Sequence, residues 1–511
     1  MNVFTRFFSQ LSSQNLKYMP AAIAPQLQRV SRFGGMRKNL SLLLLVLIGV
    51  LSGSLGNKVY GQVVTPFNIR YQIEQRGGIV YLSNNSLTAK DYDKNNSSAN
   101  KAVKENPPKG SSNNDSFTSV FIDVDNDNST FNSSSSDLLL PACSKITFAG
   151  LYWGGSTAKP VSGRNKVKLK LPNETGYMDI VADEDFGAYG NEHYQCFKDI
   201  TDLVNNNSQI NGTYWVANVD AQEGKIKVEA GWTIVIVYQN DLAPSYRNLT
   251  VFDGLAGIEG VNSYNIPIKG FLTPPAGPVN FELGFVAYEG DRGISGDYMS
   301  FDGNILADAA HSTNNTFNAS ITYNGNIVTT RNPAHANTLG YDASILMFPN
   351  KSSSVKLGNN ISEAKITLAT TQDRYAIGVV TTAIDVLNPY YTFHQSFSNI
   401  TNPGQPVKVG ETVEFTYTLK NIGSDISKNT VFTNTISPLL TNISQLQTKT
   451  DNGAWVNYST NKDGDAAEFV NNQVTFRVGS GANSTKGGNV NALSTVTIKF
   501  RATLTGNCDL L

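Results

Sequence analysis

The side chains best suited to chemistry are carboxylates set among glycines and amides. Asp123, Asp125 and Asp127 occupy alternate positions in Asp123-Val124-Asp125-Asn126-Asp127-Asn128-Ser129-Thr130. Alternate aspartates in such a loop can converge on one hard cation, and calcium prefers oxygen ligands of this kind. The run departs from an EF-hand, because Asn128 stands where the turn glycine belongs and Ser134 where the bidentate glutamate belongs. The competing reading is a strand edge with solvated aspartates. Glu289, Asp291 and Asp297 form a second acidic group, interleaved with Gly290, Gly293 and Gly296. Those glycines permit tight turns that would aim carboxylates and carbonyls inward at calcium. The simpler alternative is a turn in which the glycines serve only geometry and Arg292 pairs locally. Calcium is the one cofactor these residues bring forward. Asp183-Glu184-Asp185 reads as an exposed acidic loop.

Catalytic sets are poorly represented. The four histidines, His193, His311, His335 and His394, lack metal-ligand spacing, which argues against zinc. Gly154-Gly155-Ser156-Thr157-Ala158 approaches a nucleophile elbow but ends in alanine, and Lys159-Pro160 follows where a helix should begin. His193 and Cys196 are close in sequence, yet a Cys/His pair needs an activating environment that nothing nearby supplies. Trp153, Trp215 and Trp232 lie in or beside strand-like runs and read as core. Lys420 falls on the polar face of its run, so a crosslink to Asn434 is not expected. These features predict a protein that is not an enzyme.

The elements that must position such residues begin after a leader. Met36-Arg37-Lys38, the apolar run from Leu40 to Leu51 and Val59-Tyr60-Gly61 have the form of a signal peptide over residues 36–61, with Gln62 as the mature start. Residues 1–35 are basic and read as an extra leader outside the mature protein. Residues 1–61 hold seven Lys/Arg and no Asp/Glu, so the remainder has 33 basic and 41 acidic residues and a net charge of −8. That balance, with no basic stripe, argues against nucleic acid. No second apolar stretch approaches spanning length. Export predicts a secreted or cell-surface location and favours a Cys143–Cys196 disulfide, whose loop closure would contribute about 4 kcal/mol. Cys508 is expected to pair beyond residue 511, because the chain reads as truncated.

Period-two alternation recurs throughout. Val167, Leu169 and Leu171 share a face; so do Phe281, Leu283, Phe285 and Ala287; Val413, Phe415, Tyr417 and Leu419; and Val496, Ile498, Phe500, Ala502 and Leu504. Such runs predict antiparallel sheets with one buried and one wet face. Residues 231–238 (GWTIVIVY) are apolar on both faces and predict a central strand. Asn324-Gly325 predicts a hairpin turn. The expected fold is all-β: a large antiparallel Greek-key or jelly-roll-like sandwich over 62–391, then an immunoglobulin-like sandwich over 392–511. The polar stretch 90–117 is expected to be a long mobile loop.

Several segments together resemble a known family. They are 148–155 (FAGLYWGG), 196–201 (CFKDIT), 230–233 (AGWT), 247–254 (RNLTVFDG) and 289–297 (EGDRGISGD). This ordered series is similar to the N-terminal region of exported Bacteroidetes surface proteins described as adhesin-like or gliding-motility-associated. The block 409–504, with GETVEFTYTLKNIGS at 410–424, resembles the conserved-repeat domain carried in tandem on bacterial surface proteins. The resemblance implies a non-catalytic structural or adhesive module whose partners are an extracellular surface, a polysaccharide or another surface protein. A carbohydrate-binding module and a secreted β-sandwich hydrolase are the alternatives.

Overall fold

The computed structural model describes residues 62–190, 193–275, 278–348, 357–423 and 425–506. The leader segments 1–35 and 36–61, and Cys508, lie outside the described residues. Apart from a few short helical turns, the regular elements of the described residues are β-strands, most of them paired antiparallel.

The first strand, Gln62–Asn85, runs 24 residues. Residues 62–76 pair antiparallel with Tyr246–Ile258, and residues 77–85 with Ala230–Gln239. The exchange of partners falls at Gly77, where φ is +140° and an added Cβ would lie 1.9 Å from the Tyr238 carbonyl oxygen. Only glycine accepts both the angle and that approach.

Through this strand, eleven strands join into one ladder. On one side follow Tyr246–Ile258, Tyr375–Asp385, Phe281–Tyr288, Tyr341–Phe348, Ile321–Tyr323 and Asn326–Ile327; on the other follow Ala230–Gln239, Lys145–Ser156, His193–Asp199 and Glu184–Tyr189. The two wings lie face to face. Phe148, Tyr152, Val235 and Val237 of one wing pack against Leu249, Val251, Val286 and Val379 of the other. Gln195 spans the gap, donating from Nε2 to the carbonyls of Gly254 and Gly378 at 3.1 and 3.0 Å.

Each wing is covered on its outer face by a further sheet. Arg331–Asn332, Ser133–Leu138, Gly212–Ala217, Lys166–Lys170 and Met178–Val181 form one cover, setting Val167, Leu169, Tyr214 and Val216 against Trp153, Trp232 and Ile234. Asn262–Lys269, Glu363–Thr370, Asp297–Phe301 and Asn304–Ile305 form the other, setting Ile266, Met299, Phe301 and Leu368 against Phe252, Leu283 and Phe285. A fully buried side chain of this size contributes about 1.5–3 kcal/mol. Four layers therefore supply three apolar interfaces.

This layering confirms residues 231–238 as a central strand, with Trp232, Ile234 and Ile236 on one face and Val235 and Val237 on the other. It changes the reading of Phe281–Tyr288, which is buried along both faces rather than one. Val167 and Leu169 are buried as the alternation requires. Asn324 and Gly325 both have positive φ, 50° and 72°, and join Ile321–Tyr323 to Asn326–Ile327 as the primed turn their sequence predicts.

Among the described residues, strands of residues 391–504 pair only among themselves. Tyr391–Asn399, Thr412–Asn421, Thr495–Leu504, Leu440–Thr450 and Val456–Tyr458 form one sheet; Ala467–Val470, Gln473–Arg477, Ser427–Thr435 and Gly488–Val490 form the other. Tyr417, Phe432, Phe476, Ile498 and Phe500 fill the space between. Strands of the first body end at Asp385 and those of the second begin at Tyr391, so the handover lies within 386–390. The Arg76 guanidinium lies 3.5 Å from the Tyr390 ring centre beside it.

The stretch 90–117 differs from the expected mobile loop. It carries the short helix Ser98–Ala102, and Ala99 and Val103 pack with Ala89 and Leu339. Its polar residues make local bonds: Ser97 Oγ caps Asn100 N–H at 2.9 Å, and Glu105 accepts from the Ser111 and Ser112 backbones and the Ser112 hydroxyl. Composition alone does not distinguish a polar segment that is solvated from one whose polar groups are spent on caps.

Replacing Gly77 by alanine should destabilise the protein by about 2–3 kcal/mol, read as a lower denaturant midpoint at unchanged slope. A midpoint equal to wild type would show that the long strand tolerates a side chain at its partner exchange.

Candidate functional site

The second acidic group becomes the most unusual feature of the folded chain. Glu289, Asp291 and Asp297 follow or open strands of the second wing and its cover, and Asp342 and Asp373 join them from Tyr341–Phe348 and the turn after Glu363–Thr370. Asp297 and Asp342 are fully buried and Asp291 and Asp373 nearly so. One side-chain oxygen of each of these four aspartates is buried with no hydrogen-bond partner. The other oxygen is well held in three cases. Asp297 Oδ2 accepts the Thr316 and Phe317 N–H groups at 2.8 and 2.6 Å, Asp342 Oδ1 accepts Ser320 N–H at 2.9 Å, and Asp373 Oδ1 accepts Arg374 N–H at 2.7 Å.

Burial is the main cause that raises these carboxyls, with mutual repulsion added. Glu289 is pushed up to about 8 by burial and by Glu229 and Asp291, Asp291 to about 7, Asp297 to about 7 and Asp342 to about 7. Asp373 reaches about 9 through burial and the charges of Asp297 and Asp291. Arg292 does not pair with any of them as a local ion pair. It donates to the carbonyls of Asn318, Ala319, Ala336 and Glu105, tying this region to the 90–117 segment, and burial lowers it to about 10. Among the described residues no three His, Cys, Asp or Glu side chains already meet as a metal cage.

The Asp123 loop is different in kind, because its oxygens find partners within the fold. Asp123 accepts from the Ser133 hydroxyl at 2.8 Å, Asp127 from Ser129 N–H at 2.8 Å, and Asp125 from Asp127 N–H at 2.9 Å and the Tyr177 hydroxyl at 2.6 Å. Burial works to raise Asp125, but these hydrogen bonds outweigh it and leave the carboxyl lowered. Asp183-Glu184-Asp185 is likewise no free acidic loop. Asp183 meets Lys198, Glu184 meets Arg70, and Asp185 takes a bidentate bond from Arg164.

The expected Cys143–Cys196 disulfide is not formed. Cys196 is opposite Trp153 in the sheet, whereas Cys143 is exposed and precedes the start of the same strand at Lys145. Eight residues of strand separate the two levels, about 25 Å, against the roughly 7 Å limit between bridged Cα atoms. Cys196 Sγ instead faces Asp185 and the Arg164 carbonyl at 3.6 and 3.8 Å, and burial raises its thiol well above the ordinary range.

Strand pairing also brings Ser156 and His193 together with Glu229. His193 Nδ1 lies 2.8 Å from Glu229 Oε1, and Ser156 Oγ lies 3.3 Å from the same nitrogen. A triad sets serine and carboxylate on opposite ring nitrogens; here both use Nδ1. All three side chains are also sealed in the core. The group is a buried polar clasp. Glu229 could not be matched with Ser156 from sequence, since 73 residues separate them and only strand pairing brings them together. Of the tryptophans, Trp153 and Trp232 are fully buried, while half-buried Trp215 has the Lys170 ammonium 4.8 Å from its ring centre. A surface groove of about 580 Å³ between residues 80–81, 137–139 and 323–330 contains one carboxylate, Asp137.

What the fold defines is an all-β protein of layered antiparallel sheets. No family model matches the chain, and no curated protein matches it. Among solved structures it is similar to an atomic structure of Sulfolobus Turreted Icosahedral Virus, at 8% identity over 73% of this chain and 89% of that one, with a TM-score of 0.16. It is similar to dimeric latent PorU from Porphyromonas gingivalis at 10% identity, over 83% of this chain and 32% of that one, with a TM-score of 0.20. The major capsid protein P2 from Bacteriophage PM2 is 10% identical over 61% of this chain and 98% of its own, with a TM-score of 0.16. Similarity at this level carries no argument about function.

Two outcomes follow from the geometry. In native protein a thiol reagent should modify Cys143 at once and Cys196 only on unfolding, as read by peptide mass spectrometry; joint protection of both would restore the disulfide. Stability should also depend on pH. A carboxyl held at about 7 to 9 in the fold keeps a proton that the unfolded chain releases near pH 4. Its stabilising effect is complete below about pH 4 and is lost as pH rises through the folded value. His335 acts oppositely: burial and then Arg331 lower it to about 3, so it favours unfolding as pH falls below about 6.5. The carboxyls outnumber it, and chelator-treated protein should lose at least about 2 kcal/mol between about pH 5 and about pH 8. A flat profile would mean that the carboxyls are ionised and compensated.

Proposed function

We propose that the protein is a non-catalytic structural or adhesive module of an exported cell-surface protein, meeting polysaccharide or another surface protein. The observation that carries this reading is strand direction in the second sandwich. Tyr391–Asn399 and Thr495–Leu504 both run antiparallel to Thr412–Asn421, and so parallel to each other in direction. Tyr391 lies level with Asn421 and Thr495 with Lys420, while Asn399 and Ala502 both lie level with Val413. The chain thus enters the sandwich at one end and completes its last strand at the other, about 30 Å away. Serial modules in a stalk need this polarity, because each must hand the chain onward along the long axis.

The signal peptide expected over residues 36–61 and the resemblance to surface proteins support the same reading. Lys420, on the polar face of Thr412–Asn421, is exposed, and Asn434 donates to the Tyr417 hydroxyl at 2.5 Å, so this sandwich is held by packing. Stacking of a sugar on Trp215 would first require Lys170 to leave the ring face it covers.

Protease treatment of intact cells producing the native protein should degrade or release it while a cytosolic marker stays whole. Complete protection, with the protein recovered in the cytosolic fraction, would overturn the reading.

A further inference from the structure

Five buried oxygens without hydrogen-bond partners belong to three segments that the fold brings together. They are Asp291 Oδ1, Asp297 Oδ1, Asn315 Oδ1, Thr316 Oγ1 and Asp373 Oδ2. Backbone and side-chain bonds hold the segments to one another. Asn315 Nδ2 donates to the Asp291 and Arg292 carbonyls at 3.2 and 3.1 Å, which fixes its amide and directs Oδ1 away from them. Thr316 and Phe317 N–H groups hold Asp297 Oδ2. Asp297 pairs across the sheet with Thr370, whose hydroxyl donates to the Asp373 carbonyl at 2.8 Å. Among the described residues none of Asp291, Asp297 and Asp373 forms an ion pair.

We propose that the segments 289–297, 314–317 and 371–374 bind one calcium ion, with Asp291, Asp297, Asn315, Thr316 and Asp373 supplying side-chain oxygens. Three carboxylates buried without a counter-charge must either take protons or gather a cation. The neutral members decide between these. A proton shared among carboxyls has no use for the orphaned oxygens of Asn315 and fully buried Thr316, whereas calcium takes six to eight oxygens from carboxylates, amide carbonyls, hydroxyls and water. The donor set contains no nitrogen or sulfur, which suits a hard cation over zinc. Asn315 is half-buried next to exposed Asn314 and marks the side from which an ion enters. Because the carboxylates are not already drawn to a common point, binding pulls the segments inward. Gly290 and Gly296 let the first segment pack closely on the other two: a Cβ at Gly290 would lie 2.6 Å from the Phe317 carbonyl oxygen, and one at Gly296 2.7 Å from Thr371 Oγ1. The site requires nothing of the cell-surface reading, and its failure would leave that reading to be judged by protease treatment of cells.

The test uses the full chain stripped with a chelator. Terbium(III) should give tyrosine-sensitised luminescence, since Tyr375 lies close enough to feel the charges of Asp297 and Asp373, and calcium should displace it. Calcium at a few millimolar, above the roughly 10⁻⁴–10⁻³ M range of extracellular sites, should raise the thermal midpoint by about 2–4 °C. Asp373→Asn mimics the protonated carboxyl, so it should fold while losing both signals. Thr316→Val removes a hydroxyl that has no partner in the fold and should weaken calcium binding about three- to tenfold with folding intact. Asp125→Asn, in the self-satisfied loop, should leave both signals unchanged. A wild-type protein with no calcium response would overturn the proposal, and so would a response that survives Asp373→Asn or disappears with Asp125→Asn.

Discussion

The fold depends on one strand serving two partners. Gln62–Asn85 pairs with Tyr246–Ile258 along its first part and with Ala230–Gln239 along its second, and this double pairing joins the two wings of the eleven-stranded ladder. Once joined, the wings close on the apolar faces of Val235, Val237, Leu249 and Val251, and each still needs an outer cover. The cover sheets supply Val167 and Leu169 on one side and Ile366 and Leu368 on the other. A sheet with a single wet face would need none of this. Here burial on both faces obliges four layers, and the layers bring the loops of the second wing together.

That closure has an electrostatic consequence. Polar residues at strand ends become core residues, and the chain answers in three ways. Some form complete clasps, as with Arg70, Asp253 and the Tyr152 hydroxyl, bonded at 2.6 and 2.9 Å. Others satisfy themselves locally, as in the Asp123 loop. The carboxyls around Asp297 do neither, and buried oxygens left in that state cost more than any surface ion pair returns. This contrast is why the two acidic groups, equal as sequence patterns, differ as chemistry.

Much of the fold is legible in the sequence. Alternation in 167–171, 413–419 and 496–504 marked the correct buried faces, and the two-sided apolar run at 231–238 marked a strand inside the layers. Asn324-Gly325 marked its turn. Less legible was anything set by pairing between distant segments. Phe281–Tyr288 looked half-wet because Glu282, on its second face, finds Arg247 only in the folded sheet. Cys143 and Cys196 looked like partners because spacing carries no information on strand level. The 90–117 stretch looked mobile because capping bonds leave no compositional trace.

By itself, the sequence determined the class: strands with one apolar face, a second sandwich, and two acidic groups rich in glycine or amide. Periodicity and composition carry that information because they act within a few residues. Tertiary structure decided which acids matter. Asp342, Asp373, Asn315 and Thr316 stand up to 84 residues from Glu289, and nothing local distinguishes them from solvated loop residues. Asp342, Asp373 and Thr316 differ in that the fold buries them and removes the water that would otherwise hydrate their oxygens, and Asn315 lies half-buried at their edge. Burial is a property of the whole chain, and the chemistry of this site follows from it.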